Sequence, residues 1–171
     1  MNNTILLKQQ INEYISLNYT RRKRVCKEKA LVCDSRLPML LNDLSEHDKR
    51  SLKDIISHID DTFQKALFYF IDRKGLDEVK VYSKAHIDRR LFSKIRSDEN
   101  FKPSKKTAIC LCIGLELNLD EAKDLLNKAG YTLSHASKSD LIVEYFINNK
   151  IYDLDLLNQI LYEYKLSTLY I

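Results

Sequence analysis

Residues 77–96 read DEVKVYSKAHIDRRLFSKIR, and two short helices fit this stretch. Asp77 is placed to cap the first, which would turn Val81, Tyr82 and Ala85 inward. Asp88 is placed to cap the second, with Leu91, Phe92 and Ile95 inside and Arg89, Arg90, Lys94 and Arg96 outside. A short acidic side chain suits a cap because its oxygen accepts a backbone N–H that has no partner within the helix.

The same pattern extends in both directions. Upstream, Phe63, Ala66, Leu67, Phe70 and Ile71 recur at helical spacing, and Gly75 supplies the left-handed stop. Downstream, the loop SDENFKPS leads into a helix striped by Ala108, Leu111, Cys112 and Leu115. Gly114 falls inside that helix and marks a close backbone contact. Asn118 and Glu121 are spaced as a capping box for a further helix, packed through Ala122, Leu125, Leu126 and Ala129 and stopped at Gly130.

Outside this run the chain stays helical. Leu7, Ile11, Tyr14 and Ile15 fit one helix before TRRKRVCKEK breaks the pattern. Ser45 with Asp48 starts another that carries Leu52, Ile55, Ile56 and Ile59. Beyond Gly130, Leu141, Ile142, Tyr145 and Phe146 pattern one helix, and Leu156, Leu157, Ile160, Leu161 and Tyr164 pattern the next. With three Gly and two Pro in 171 residues, a turn-rich β architecture is disfavoured. The expected fold is all-α: an N-terminal helical arm or subdomain over 1–58, a five-helix core over 59–130, and a C-terminal helical extension over 131–171 packed on that core.

Charge is concentrated in the core. Lys84, Arg89, Arg90, Lys94, Arg96, Lys102, Lys105 and Lys106 face only Asp88, Asp98 and Glu99 within the same segment, a net +5 against +4 for the whole chain. A second cluster, Arg21, Arg22, Lys23, Arg24, Lys27 and Lys29, reads either as a phosphate-gripping arm or as partners for Asp43, Glu46 and Asp48. Six of the ten tyrosines, Tyr131, Tyr145, Tyr152, Tyr162, Tyr164 and Tyr170, lie late in the chain, where they would pack the last helices or serve a homodimer through them.

Other function classes find little footing. No apolar run reaches the roughly eighteen residues of a membrane span, and MNNTILLKQQ does not read as a signal peptide, so a cytoplasmic location is expected. Cys26, Cys33, Cys110 and Cys112 lack zinc or disulfide spacing and read as small reduced hydrophobes. His47, His58, His86 and His135 are dispersed, without ligand spacing. No nucleophile elbow, phosphate-cradling Gly loop or Ser/His/Asp arrangement is present. No enzyme, metal or cofactor is expected.

Residues 61–130 resemble the lambda-repressor-like (XRE-type) helix-turn-helix, in the helix order, in Phe92-Ser93-Lys94-Ile95, in Lys102-Pro103-Ser104 and in the segment LELNLDE. The segments YSKAHIDRRLFSKIRSDENFKPSKKTA and NLDEAKDLLNKAGY look like a variant found at the C-termini of bacterial multidomain signalling proteins. Three departures from the family stand out: Glu78 stands where a phosphate-binding Gln is frequent, Tyr82 and His86 replace a small residue and the turn Gly, and the loop after Ile95 is longer by one. The resemblance implies a bacterial DNA-binding transcription regulator whose third helix enters the major groove of double-stranded DNA. By position, Arg89, Arg90 and Ser93 would face base edges, while Lys94, Arg96, Lys102, Lys105 and Lys106 would lie nearer the phosphates. The alternative it implies is a protein-interaction module that keeps this shape but docks a signalling or defence partner.

Overall fold

A computed structural model describes residues 2–19 and 62–170. Among them are eight helices and no strand. In chain order they are α1 (Asn2–Asn18), α2 (Phe63–Arg73), α3 (Glu78–Lys84), α4 (Arg89–Ser97), α5 (Lys105–Gly114), α6 (Leu119–Lys128), α7 (Lys138–Asn148) and α8 (Leu154–Glu163). None is long and apolar enough to cross a membrane. The Ser45 helix, the Arg21–Lys29 basic cluster, Cys26, Cys33, His47 and His58 lie outside the described residues.

Two helices are wrapped by the others. In α5 every residue from Thr107 to Gly114 is buried, and in α7 every residue from Asp140 to Ile147. A helix apolar on all sides must be enclosed, and neighbours surround both. The helices α3 and α6 pack on α5, whereas α1, α6 and α8 pack on α7. The remaining helices are amphipathic: α2 buries Phe63, Ala66, Leu67, Phe70 and Ile71, the five positions its spacing marks.

Residues 2–19 do not belong to a separate arm. The helix α1 belongs to the same compact unit as residues 62–170. The cause is the face of α1 that meets α7 and α8. Ile11 and Ile15 are buried, and the Tyr14 and Tyr145 rings meet edge-on at 5.4 Å. The Tyr145 hydroxyl donates to Gln10 Oε1, the Tyr164 hydroxyl to Asn12 Oδ1, and Lys8 pairs with Glu163 at 2.5 Å. Three of the late tyrosines thus serve internal packing, since the Tyr152 hydroxyl also donates to the Leu117 carbonyl.

Six helices stop in one way. After α2, α3, α5, α6, α7 and α8, a residue with positive φ (Gly75, His86, Glu116, Gly130, Lys150 or Lys165) reverses the chain. The next residue, Leu76, Ile87, Leu117, Tyr131, Ile151 or Leu166, returns its N–H to a carbonyl in the helix's last turn. This Schellman arrangement satisfies orphan carbonyls and folds an apolar side chain back under the helix. Among these helices α4 differs, ending at an extended Asp98.

Candidate functional site

The face of α4 is built by two devices. Asp88 Oδ1 accepts the Arg90 N–H at 2.8 Å and starts the helix, while Phe92 and Ile95 anchor it. Nine residues are too few for a stable isolated helix, so burial of these two side chains holds it. Truncating Ile95 to Ala would cost about 2–5 kcal/mol. Aromatic contacts steady the anchor, with the Phe92 ring 6.1 Å from Phe68 and 5.5 Å from Tyr82.

At about 100° per residue, the buried positions leave an exposed arc of α4 lined by two strips. Arg89, Ser93 and Arg96 follow one strip; Arg90 and Lys94 follow the other. All five side chains are exposed. Among the described residues no carboxylate pairs with Arg89, Arg90 or Lys94, and the same holds for exposed Lys102 in the following loop.

The structure separates Arg96, Lys105 and Lys106 from this open set. Arg96 Nη2 donates to Glu78 Oε1 at the start of α3, and Gln64 Nε2 of α2 donates to the Arg96 carbonyl. Lys105 Nζ lies 2.7 Å from Asp140 Oδ2, a buried carboxylate of α7. Lys106 is half-buried and lines a hollow of about 130 Å³ with Lys105, Ile109, Val143, Leu161 and Leu169. Lys105 and Lys106, expected nearer the phosphates, are half-buried at the start of α5, with Lys105 on a carboxylate. The first turn of α5 faces the C-terminal helices, and the inward Asp140 claims Lys105.

The chain matches no protein-family model, no curated protein and no solved structure. Its chemistry must be read from its own side chains. The α4 arc offers guanidinium and ammonium groups with two hydroxyls, Ser93 and Ser97, and no acidic group except the cap Asp88. Such a set donates hydrogen bonds and accepts almost none, which suits a polyanion.

Neighbouring charge is mostly neutralised within the fold. Lys84 pairs with Glu116 at 2.6 Å, Lys65 with Glu99 at 2.6 Å, and Arg73 with Glu121 at 3.2 Å. Lys74 Nζ donates to the carbonyls of Leu115 and Glu116, closing the end of α5. A groove of about 530 Å³ lies beside this lysine and is lined by Leu76, Leu115, Glu116, Glu121, Lys150 and Tyr152. Its charges are mixed, and its one phenol donates to the Leu117 carbonyl. No cluster of His, Cys, Asp or Glu among the described residues could hold a metal ion.

Sequence reasoning missed the two carboxylates that decide which cations are open. In the sequence Glu78 stands out only as a departure from a phosphate-binding Gln, not as the partner of Arg96. Asp140 carries no signal in the sequence pattern, although it lies in the first turn of α7. Neither pairing has a local signature, since the partners are 18 and 35 residues apart.

Proposed function

We infer that this protein binds double-stranded DNA through α4 and acts as a bacterial transcription regulator of helix-turn-helix type. The observation that carries the reading is the exposed set Arg89, Arg90 and Lys94 on one arc of a short helix, without a carboxylate partner among the described residues, with Lys102 beside it. In this reading α2–α6 are the five-helix core, α3 and α4 are the two helices of the motif, and α4 lies in the major groove.

Two local features support that assignment. The chain turns between α3 and α4 within residues Ala85–Asp88, using the left-handed conformation of His86. Gly114 of α5 also admits α3 closely, because a Cβ there would sit 2.9 Å from Ala85. Arg89, Arg90 and Ser93 are the base-edge candidates; Lys94 and Lys102 hold phosphates. An Arg that reaches guanine in bidentate fashion supplies about 1–3 kcal/mol of discrimination.

The second reading, an acidic protein partner on the same arc, is favoured by the capture of Arg96 by Glu78, which removes one cation from any phosphate path. A shift assay with a random duplex pool at two salt concentrations separates the two. Duplex binding that falls steeply with salt, with Arg89→Ala and Arg90→Ala each weakening it more than tenfold, supports the DNA reading. Variants that bind every duplex as well as the parent overturn it.

A further inference from the structure

The α4 arc carries four cations, and the fold treats one of them differently. Arg89, Arg90 and Lys94 point to solvent without a carboxylate among the described residues, whereas Arg96 is held by Glu78. The guanidinium side chain remains 61% exposed and the carboxylate side chain 27%. Arg96 is therefore within reach of a ligand, but its charge is already answered by a better-sheltered anion.

Its position is also fixed rather than incidental. Arg96 lies two helical turns along the same strip as Arg89, so both face one side of α4. Gln64 of α2 holds the Arg96 carbonyl, and Phe92 and Ile95 beneath it are buried. Glu78, in the first turn of a helix whose N-terminal dipole favours a carboxylate, has its own reason to stay where it is.

We propose that Glu78 is an intramolecular competitor that withholds Arg96 from DNA and so sets the affinity of the α4 face. This deepens the duplex-binding reading and rests on it. A phosphate that approaches Arg96 must displace Glu78 or bring its own charge alongside a carboxylate. Either way the contact gains little, because one ion pair is exchanged for another and few counterions are released. The Glu78–Arg96 pair is electrically null towards the duplex. Removing the carboxylate charge converts Arg96 into a working phosphate contact.

The test is a double-variant cycle on the full chain: parent, Glu78→Gln, Arg96→Ala and the combined variant. Binding to a random duplex pool is followed by fluorescence anisotropy across a salt series, and near-ultraviolet circular dichroism verifies the fold of each. Glu78→Gln is expected to bind about fivefold to tenfold more tightly near 0.1 M salt, with a log–log salt slope steeper by about 0.9, the signature of one more neutralised phosphate. Arg96→Ala alone weakens binding, since it leaves Glu78 unanswered. The combined variant returns to the parent's affinity and slope. Parent-like affinity or slope in Glu78→Gln overturns the proposal while leaving the duplex reading intact. A combined variant that keeps the steeper slope also overturns it, because Glu78 would then act without Arg96. If neither the parent nor Glu78→Gln binds duplex, the proposal and the duplex reading fall together.

Discussion

Lys105 Nζ donates to Asp140 Oδ2 across 2.7 Å and so joins the first turn of α5 to the first turn of α7. The Ser134 N–H reaches the same oxygen at 2.9 Å, tying down the loop between α6 and α7 as well. The Asp140 side chain is 7% exposed, so its charge relies on these two donors. Removing Lys105 leaves a buried carboxylate with one backbone N–H. Lys105→Ala should therefore lower stability by about 2 kcal/mol, less than for a fully buried pair because the lysine is partly solvated. Urea unfolding measures this, and duplex affinity in the same variant should change less than twofold. A larger loss of affinity with unchanged stability would return Lys105 to the binding surface.

The approach of α3 to α5 gives a second prediction. A Cβ on Gly114 would meet the Cβ and the backbone nitrogen of Ala85 at 2.9 Å and the Val81 carbonyl oxygen at 3.0 Å. Two of these three atoms are backbone, so rotamer changes cannot relieve the clash. Gly114→Ala should cost about 1–3 kcal/mol in spite of its better helix propensity. Thermal unfolding that shows equal or higher stability would mean α3 can slide on α5. Because α3 precedes α4 by one tight turn, the variant should also weaken binding through the α4 arc.

The elements were legible where a local rule acts. Asp77, Asp88 and the Asn118–Glu121 box each cap the helix their sequence position implies, with the Glu121 N–H 2.9 Å from Asn118 Oδ1 and the Asn118 N–H 3.1 Å from Glu121 Oε2. Gly114 was also readable, since a glycine inside a helix has few reasons other than a close neighbour. The docking of α1 was not, because its buried Ile11 and Ile15 meet residues more than a hundred positions later and the pattern of α1 names no partner. For the α4 arc, exposure followed from periodicity. Which cations stay free did not, since that depends on carboxylates brought in by other helices.

Helix stops show the same division. Gly75 and Gly130 announced theirs, but His86, Glu116, Lys150 and Lys165 adopt the same left-handed conformation without glycine. A β-carbon costs about 1 kcal/mol or more there, and the apolar residue that follows offsets it by packing beneath the helix. Lys150→Gly should therefore stabilise the protein by about 0.5–1 kcal/mol, while Gly130→Ala, which meets no atom within 4 Å, should destabilise it by about 1 kcal/mol through backbone strain alone. Opposite signs in denaturant midpoints are the expected outcome. Equal signs would show that the left-handed turns are not the controlling feature.

The two buried thiols of α5 make a prediction about pH. Burial pushes Cys110 up to about 12 from an ordinary 9.0, with Lys106 only partly offsetting it, and burial raises Cys112 as well. At pH 8 the folded Cys110 is ionised on the order of one part in ten thousand, so alkylation must wait for opening. With Cys26 and Cys33 replaced by Ser, labelling by iodoacetamide should track global unfolding and accelerate with urea. The stability consequence has a definite sign. Above pH 9 the unfolded thiols lose protons that the folded chain retains, so the folded state binds more protons and stability falls as pH rises from about 9 towards 12. Replacing both cysteines by Ala should flatten that limb while lowering stability near neutral pH through lost packing. An alkaline limb unchanged in the double variant would assign the loss to tyrosine ionisation instead, since burial also raises Tyr14, Tyr145, Tyr152 and Tyr164.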